Sequence, residues 1–222
     1  MLGIVKKLLN RFVLIRFLGL FRSRNGALGQ LGWKEVNFKA LRISGKSSLP
    51  WFVYGAIDYL EHSVDPRAKV LELGGGASTA FWVNRGNEVT VVETDMNWAK
   101  IIEETIGDSP NLQVFVCPEI SSGVLHGLNL GEFDVVVNDF DGDRAEVAQW
   151  ILLHLKQGGV VVWDNSDREE YKEGLRSLRE SGMGWISFFG LGPVNSQAWD
   201  TTILSTSYLA PTWPIREKKV IR

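Results

Sequence analysis

Val70-Leu71-Glu72-Leu73-Gly74-Gly75-Gly76-Ala77-Ser78-Thr79 decides the fold. Its first half is apolar and β-rich, its second half opens a helix, and three glycines join the two. Glycines at a strand-to-helix turn let the backbone approach a ligand closely, and the helix start adds free N–H groups. Outward from this turn the chain alternates. Residues 68–73, 88–93, 112–116, 133–138 and 159–163 are short apolar runs, the pattern of strands buried on both faces of a parallel sheet. Residues 77–85, 95–106, 144–155 and 168–181 read as helices between them, with another at 50–62 ahead of the first strand. The runs at 185–189 and 198–206 have only a Gly/Pro/Asn loop between them, so they predict a hairpin whose last strand is antiparallel. The expected fold is α/β: a Rossmann-like open sheet of about seven strands, mostly parallel, with helices on both faces.

The glycine turn alone is a weak signal, because a tight βα turn needs no ligand. Glu93 strengthens it. This acid ends the next strand, 21 residues after Glu72, where a carboxylate is placed to accept hydrogen bonds from ribose hydroxyls. A dinucleotide site would want G-x-G-x-x-G, and Thr79 stands at the third glycine. Glu72, two residues before Gly74, would repel a pyrophosphate and suits a ligand bearing an ammonium group. S-adenosylmethionine has an ammonium, a sulfonium and a ribose diol, and no phosphate.

These residues resemble the class I S-adenosylmethionine-dependent methyltransferases. Residues 70–76 are similar to their first motif, Val91-Val92-Glu93 to the ribose-binding strand end, Phe133–Asp139 to their fourth motif, and Leu155–Val160 to the lead into the fifth strand. The resemblance spans about residues 30–207. More narrowly, Gly32-Trp33, Pro50-Trp51, Asp143-Arg144, Asp164-Asn165-Ser166-Asp167-Arg168 and Thr201-Thr202 are similar to a little-characterised bacterial subgroup. That subgroup often has Ile-Asp-Gly where this chain has Asn138-Asp139-Phe140. The resemblance implies methyl transfer from S-adenosylmethionine and no particular acceptor. The expected cofactor-binding residues are Glu72, Gly74, Gly75, Gly76, Ser78, Glu93 and Asp139.

The acceptor half is expected beyond the carboxyl ends of the fourth and fifth strands, at Asp139, Asp164 and Asn165, the candidate catalytic residues. Two carboxylates and an amide oxygen suit Mg²⁺, and catechol-type methyltransferases use a similar Asp…Asp-Asn arrangement. Against a metal, Asp164-Asn165-Ser166-Asp167 also reads as a helix start, which would engage those side chains with backbone N–H groups. A nearby Arg144 or Arg168 would remove the need for an ion, so Mg²⁺ is not favoured. Asp139, Asp141 and Asp143 form D-x-D-x-D, but the EF-hand positions 6 and 12 hold Arg144 and Trp150. Asp141 and Asp143 read as a solvated loop. Of the three histidines, His126, expected in a loop, is the best candidate for a base. Trp51, Trp98 and Trp199 are candidates to stack on adenine or acceptor.

Composition sets the frame. The 222 residues carry 24 basic and 26 acidic side chains, a net charge of -2, too balanced for a protein that coats nucleic acid. The single cysteine, Cys117, predicts an intracellular chain without a Cys-based zinc site, and the expected location is cytoplasmic. The first 24 residues hold six basic residues and no acid, leaving 18 basic against 26 acidic residues, -8, in the rest. Arg11 and Arg16 interrupt every apolar run there, which rejects a membrane span and a secretory signal. The leader either docks on an anionic membrane surface or packs on protein. Its apolar residues do not keep to one helical face, which favours packing. The domain division is therefore a basic apolar leader at 1–30, a methyltransferase-like domain at 31–210 and a basic tail at 211–222.

The leading function is methyl transfer to an oxygen of a small molecule, sugar or glycan precursor. The alternatives are a non-catalytic binding or scaffold protein on the same fold, and an aminopropyltransferase. The leader is not the β-rich N-terminal domain that aminopropyltransferases carry.

Overall fold

A computed structural model describes residues 18–20, 27–33, 48–194 and 196–207. Most of the basic leader and the whole tail at 211–222 lie outside the described residues. Strands β1 (Lys69–Leu73), β2 (Glu88–Glu93), β3 (Leu112–Val116), β4 (Phe133–Asn138), β5 (Leu155–Asp164), β6 (Gly184–Gly190) and β7 (Trp199–Ser205) form one sheet in the order β3-β2-β1-β4-β5-β7-β6. β1 to β5 are parallel. β7 lies between β5 and β6 and is antiparallel to both, as the helix-free connection requires.

Successive side chains of the central strands enter opposite layers, which explains their unbroken apolar sequence. Val70, Val91, Val135, Val137 and Ile203 pack under α1 (Tyr54–Ser63) and α2 (Ala77–Arg85), whose Leu60 and Trp82 are fully buried. α3 (Met96–Ile106) packs against α2, β2 and β3. Leu71, Leu73, Val136, Val161 and Trp163 face α4 (Ser122–Gly127), α5 (Ala148–His154) and α6 (Lys172–Glu180).

Several boundaries differ from expectation. The helix expected at 144–155 begins at Ala148, because the Asp143 carboxylate accepts hydrogen bonds from Ala145 and Glu146 N (3.0 and 3.3 Å) and sets a turn first. It ends at His154, because Leu155 already pairs with Phe133 at the start of a longer β5. The helix expected at 50–62 begins at Tyr54, since Val53 N donates to Thr201 Oγ1 at 3.1 Å and anchors the preceding segment to β7. The helix expected at 168–181 splits into a 3₁₀ turn, Glu169–Tyr171, and α6. α4 was not expected. Ser121 caps it, accepting from Val124 N at 3.4 Å, and its brevity hid any periodicity.

Candidate active site

All five parallel strands from β1 to β5 end at one edge, and there a cleft of about 880 Å³ opens. At one end it is lined by Trp51, Gly74 to Ser78, Glu93 to Asp95 and Trp98, and at the other by Asp139 to Asp141, Arg144, Asp164, Asn165, Arg168 and Tyr171. The volume suits a small-molecule site.

The glycine turn is held on three sides. Gly74 N donates to Val92 O, Gly75 N to Glu93 Oε2 (3.0 Å), and Trp98 Nε1 to Gly75 O (2.8 Å). Gly74 has φ +85°, and a Cβ there would meet Asp139 O at 2.7 Å. A Cβ on Gly75 would meet Val91 Cγ1 at 2.6 Å. Gly76 differs: the nearest atoms to its would-be Cβ are those of the Trp98 ring, at 3.7 Å. The first two glycines are thus dictated by protein packing, and the third leaves space on the cleft side.

Glu93 is 7% exposed, and its carboxylate accepts from three backbone groups, Gly75 N, Thr94 N (2.7 Å) and Asp95 N (3.0 Å). These contacts aim it into the cleft with acceptor capacity to spare, since a carboxylate offers about four sites. Asp95 caps α3 through Asn97 N and Trp98 N. Trp51 and Trp98 sit with ring centroids 6.1 Å apart at this end.

Glu72 is placed otherwise than the sequence suggests. It is fully buried behind the turn and does not line the cleft. Thr79 Oγ1 donates to its Oε2 and accepts from Gly76 N at 2.9 Å, while Oε1 makes no hydrogen bond within the protein. Burial pushes its pKa to about 8; the Ser78 and Thr79 hydroxyls oppose the shift, and the charges of Asp139 and Glu93 add to it. Glu72 therefore shapes the turn through Thr79. Ser78, which is 7% exposed, does line the cleft.

Asp139, Asp164 and Asn165 do meet in one crevice. The organiser is Arg144, only 2% exposed. Its Nε donates to Phe140 O (2.7 Å), its Nη1 to Asn138 O (3.1 Å) and Asp164 O (2.6 Å), and its Nη2 to Asp139 Oδ1 (3.1 Å). The guanidinium carbon lies 4.0 Å from the Tyr171 ring centroid. One side chain thereby ties the end of β4 to the end of β5.

Asp164 is not a helix cap. The 3₁₀ turn that follows has Arg168 at its cap position and no side-chain capping bond. Instead Asp164 Oδ1 accepts from Trp199 Nε1 (3.1 Å) and Thr201 Oγ1. Because Val53 N donates to Thr201 Oγ1, the Thr201 hydroxyl proton is free to point at Asp164. Burial and the neighbouring Asp139 charge push Asp164 to about 8, against Thr201, Trp199 and Arg144. Burial also raises Asp139, with Arg144 and then Arg168 pulling the other way. The charged partner belongs to Asp139 and only neutral side-chain donors reach Asp164, so Arg144 favours the charge on Asp139 over Asp164.

Among the described residues, no three His, Cys, Asp or Glu side chains cluster as metal ligands. One oxygen of each carboxylate is already engaged: Asp139 Oδ1 accepts from Arg144, and Asp164 Oδ1 from Trp199 and Thr201. His126 lies on α4, outside the cleft, with Nδ1 at Ser122 O (2.7 Å). Trp199 backs Asp164, 6% exposed, and does not line the cleft. Arg144 is one of the donors the sequence offered for this crevice, whereas Tyr171 and Thr201 were not expected as site residues. Thr201 lies 37 residues from Asp164 in sequence, and nothing local marks that contact.

No protein-family model matches the chain, and no curated protein matches it. Solved structures do. An O-methyltransferase from Bacillus cereus, in complex with S-adenosylhomocysteine, is similar over 79% of this chain and 89% of its own, with a TM-score of 0.56 and 18% identity. The precorrin-6y C5,15-methyltransferase of Geobacter metallireducens is similar over 73% of this chain and 94% of its own (TM-score 0.57, 12% identity). A spermidine synthase is similar over 70% of this chain and 57% of its own (TM-score 0.52, 20% identity). The chain has the seven-stranded α/β fold of the S-adenosylmethionine-dependent methyltransferases.

Proposed function

We propose that the protein is an S-adenosylmethionine-dependent methyltransferase acting on an oxygen of a small acceptor, such as a sugar or glycan precursor. The observation that carries this reading is the charge of the donor end. Glu93 and Asp95 line it, and among the described residues no Lys or Arg does, which disfavours a pyrophosphate and favours a cationic nucleoside ligand. Glu93 would hold the ribose, the open side of Gly76 would take the chain of the ligand, and Trp51 and Trp98 would bound the slot. When bound, S-adenosylmethionine supplies a methyl group already activated by its sulfonium. The chain's own residues exclude water, orient the acceptor and manage its proton. Asp139, raised above the ordinary carboxylate range yet kept charged by Arg144, is the base for an acceptor hydroxyl. Asp164 lines the same crevice, and Asn165 adds an amide. Arg144 already places a positive charge beside Asp139, which supports a metal-independent reaction.

Calorimetry with S-adenosylmethionine tests the donor. Glu93→Ala is expected to weaken binding by roughly 1.5–3 kcal/mol, the scale of hydrogen bonds to a charged group. Glu93→Gln is expected to fall close to the Ala variant, because its amide NH₂ must face either Gly75 N–H or the Thr94 and Asp95 N–H pair. A folded Ala variant with unchanged affinity contradicts the assignment, and a wild type that binds no S-adenosylmethionine favours a scaffold.

No helix among the described residues is long and apolar enough to cross a membrane. The basic leader lies mostly outside the described residues, and its sequence favours packing on protein over a membrane surface. Full-length protein and a form starting at residue 25 are expected to partition equally with anionic vesicles. Salt-sensitive co-sedimentation of the full-length form alone would instead assign the leader to the membrane surface.

A further inference from the structure

We propose that the acceptor carries a small anionic group, a carboxylate or a phosphate, and that Arg168 is the residue that holds it; this rests on the methyltransferase reading above. Two arginines line the cleft, and they are employed differently. Every nitrogen of Arg144 donates inside the protein, to three carbonyls and Asp139. Arg168 makes no ion pair with a carboxylate among the described residues; its guanidinium carbon stands 5.8 Å from the Tyr171 centroid, sharing a ring that Arg144 stacks on at 4.0 Å. A guanidinium presents a planar fork of donors that matches the paired oxygens of a carboxylate or phosphate.

Although exposed, Arg168 stands on a fixed backbone. Its N–H donates to Asn165 O (3.0 Å), and Asn165 occupies the left-handed region at φ +53°. Ser166 N donates to Asp200 O (2.9 Å), Thr202 Oγ1 to Ser166 Oγ (2.7 Å), and Asp200 N to Asp167 Oδ1 (3.2 Å). The loop is thus fastened to β7 on both sides of its turn. The acids that line this wall are engaged elsewhere or screened: Asp139 accepts from Arg144, Asp164 accepts from Trp199 and Thr201, and Asp141 is exposed, where solvent screens it. Asn165 lines the same wall and supplies a neutral donor. An anion seated on Arg168 leaves the rest of the acceptor beside Asp139, close enough that the Arg168 charge is felt there.

The test uses full-length protein saturated with S-adenosylhomocysteine, its binding verified by calorimetry. Inorganic phosphate and acetate are titrated separately at fixed ionic strength set with chloride, and tryptophan fluorescence is read, since Trp51 and Trp98 line the cleft. Both anions are expected to give saturable responses, weakened about tenfold or more in Arg168→Gln and unchanged in Arg176→Gln, an exposed arginine of α6 outside the cleft. Tighter phosphate supports a phosphorylated acceptor and tighter acetate a carboxylated one. Arg168→Gln binding both anions like wild type, or no saturable response in protein that binds S-adenosylhomocysteine, overturns the proposal. Failure to bind S-adenosylhomocysteine overturns the methyltransferase reading itself.

Discussion

Replacing Arg144 with methionine is expected to lower stability by about 3–5 kcal/mol, the cost of removing one partner from a buried charge pair. Methionine fills much of the same space, so the loss comes from polarity. Three carbonyls, at Asn138, Phe140 and Asp164, lose their donor, and Asp139 loses its counter-charge. For a chain of this size, that corresponds to a midpoint about 10 °C lower. Arg144→Lys is expected to recover only a part, because one ammonium cannot reach acceptors on both β4 and β5. Thermal unfolding measures both variants, and a midpoint for Arg144→Met equal to wild type would mean that Arg144 does not tie the strand ends together.

The second large effect is on pH. The Glu72 pKa of about 8 in the folded protein lies above the 4.5 of an unperturbed glutamate. The native state therefore keeps a proton that the unfolded chain releases, and stability falls as pH rises from about 4.5 to about 8. The full loss is present above pH 8 and absent below 4.5, and is on the order of 5 kcal/mol. Asp164 acts with the same sign over a similar window. Glu72→Gln keeps the shape and removes the titration, so its stability should fall about half as steeply between pH 5 and 9. Denaturant unfolding at several pH values checks this. A wild type whose stability is flat or rising across that window would show that Glu72 is ionised in the fold.

Much of this architecture was legible because its signals are local. The valine-rich runs at 88–93 and 133–138 give strands with the expected ends, since their burial leaves little ambiguity, and the edge strand at 112–116 also keeps its expected ends. The glycine turn and Glu93 were legible for the same reason: spacing along two adjacent strands brings them together. Glu72 shows what spacing does not carry. Alternation assigns it to a face of β1 but not a depth, and Thr79, seven residues on, holds it behind the turn. Asp164 shows the competition between local and distant partners. Its sequence neighbours suggest a cap, while Trp199 and Thr201 on the antiparallel strand claim it. Arg144 looked like the first residue of a helix. The sequence also offers it as a donor to the crevice acids, but only the fold shows that it reaches the carbonyls at the ends of two strands.

The central claim is methyl transfer, and its most direct test follows the product. The protein is incubated with S-adenosylmethionine and the small-molecule fraction of a cell extract, and the sulfur-containing product is identified by mass spectrometry. S-adenosylhomocysteine is expected to accumulate only when both are present, to persist with EDTA, and to fall sharply with Asp139→Asn. Accumulation equal to the Asp139→Asn background, or formation of methylthioadenosine in place of S-adenosylhomocysteine, would contradict the account.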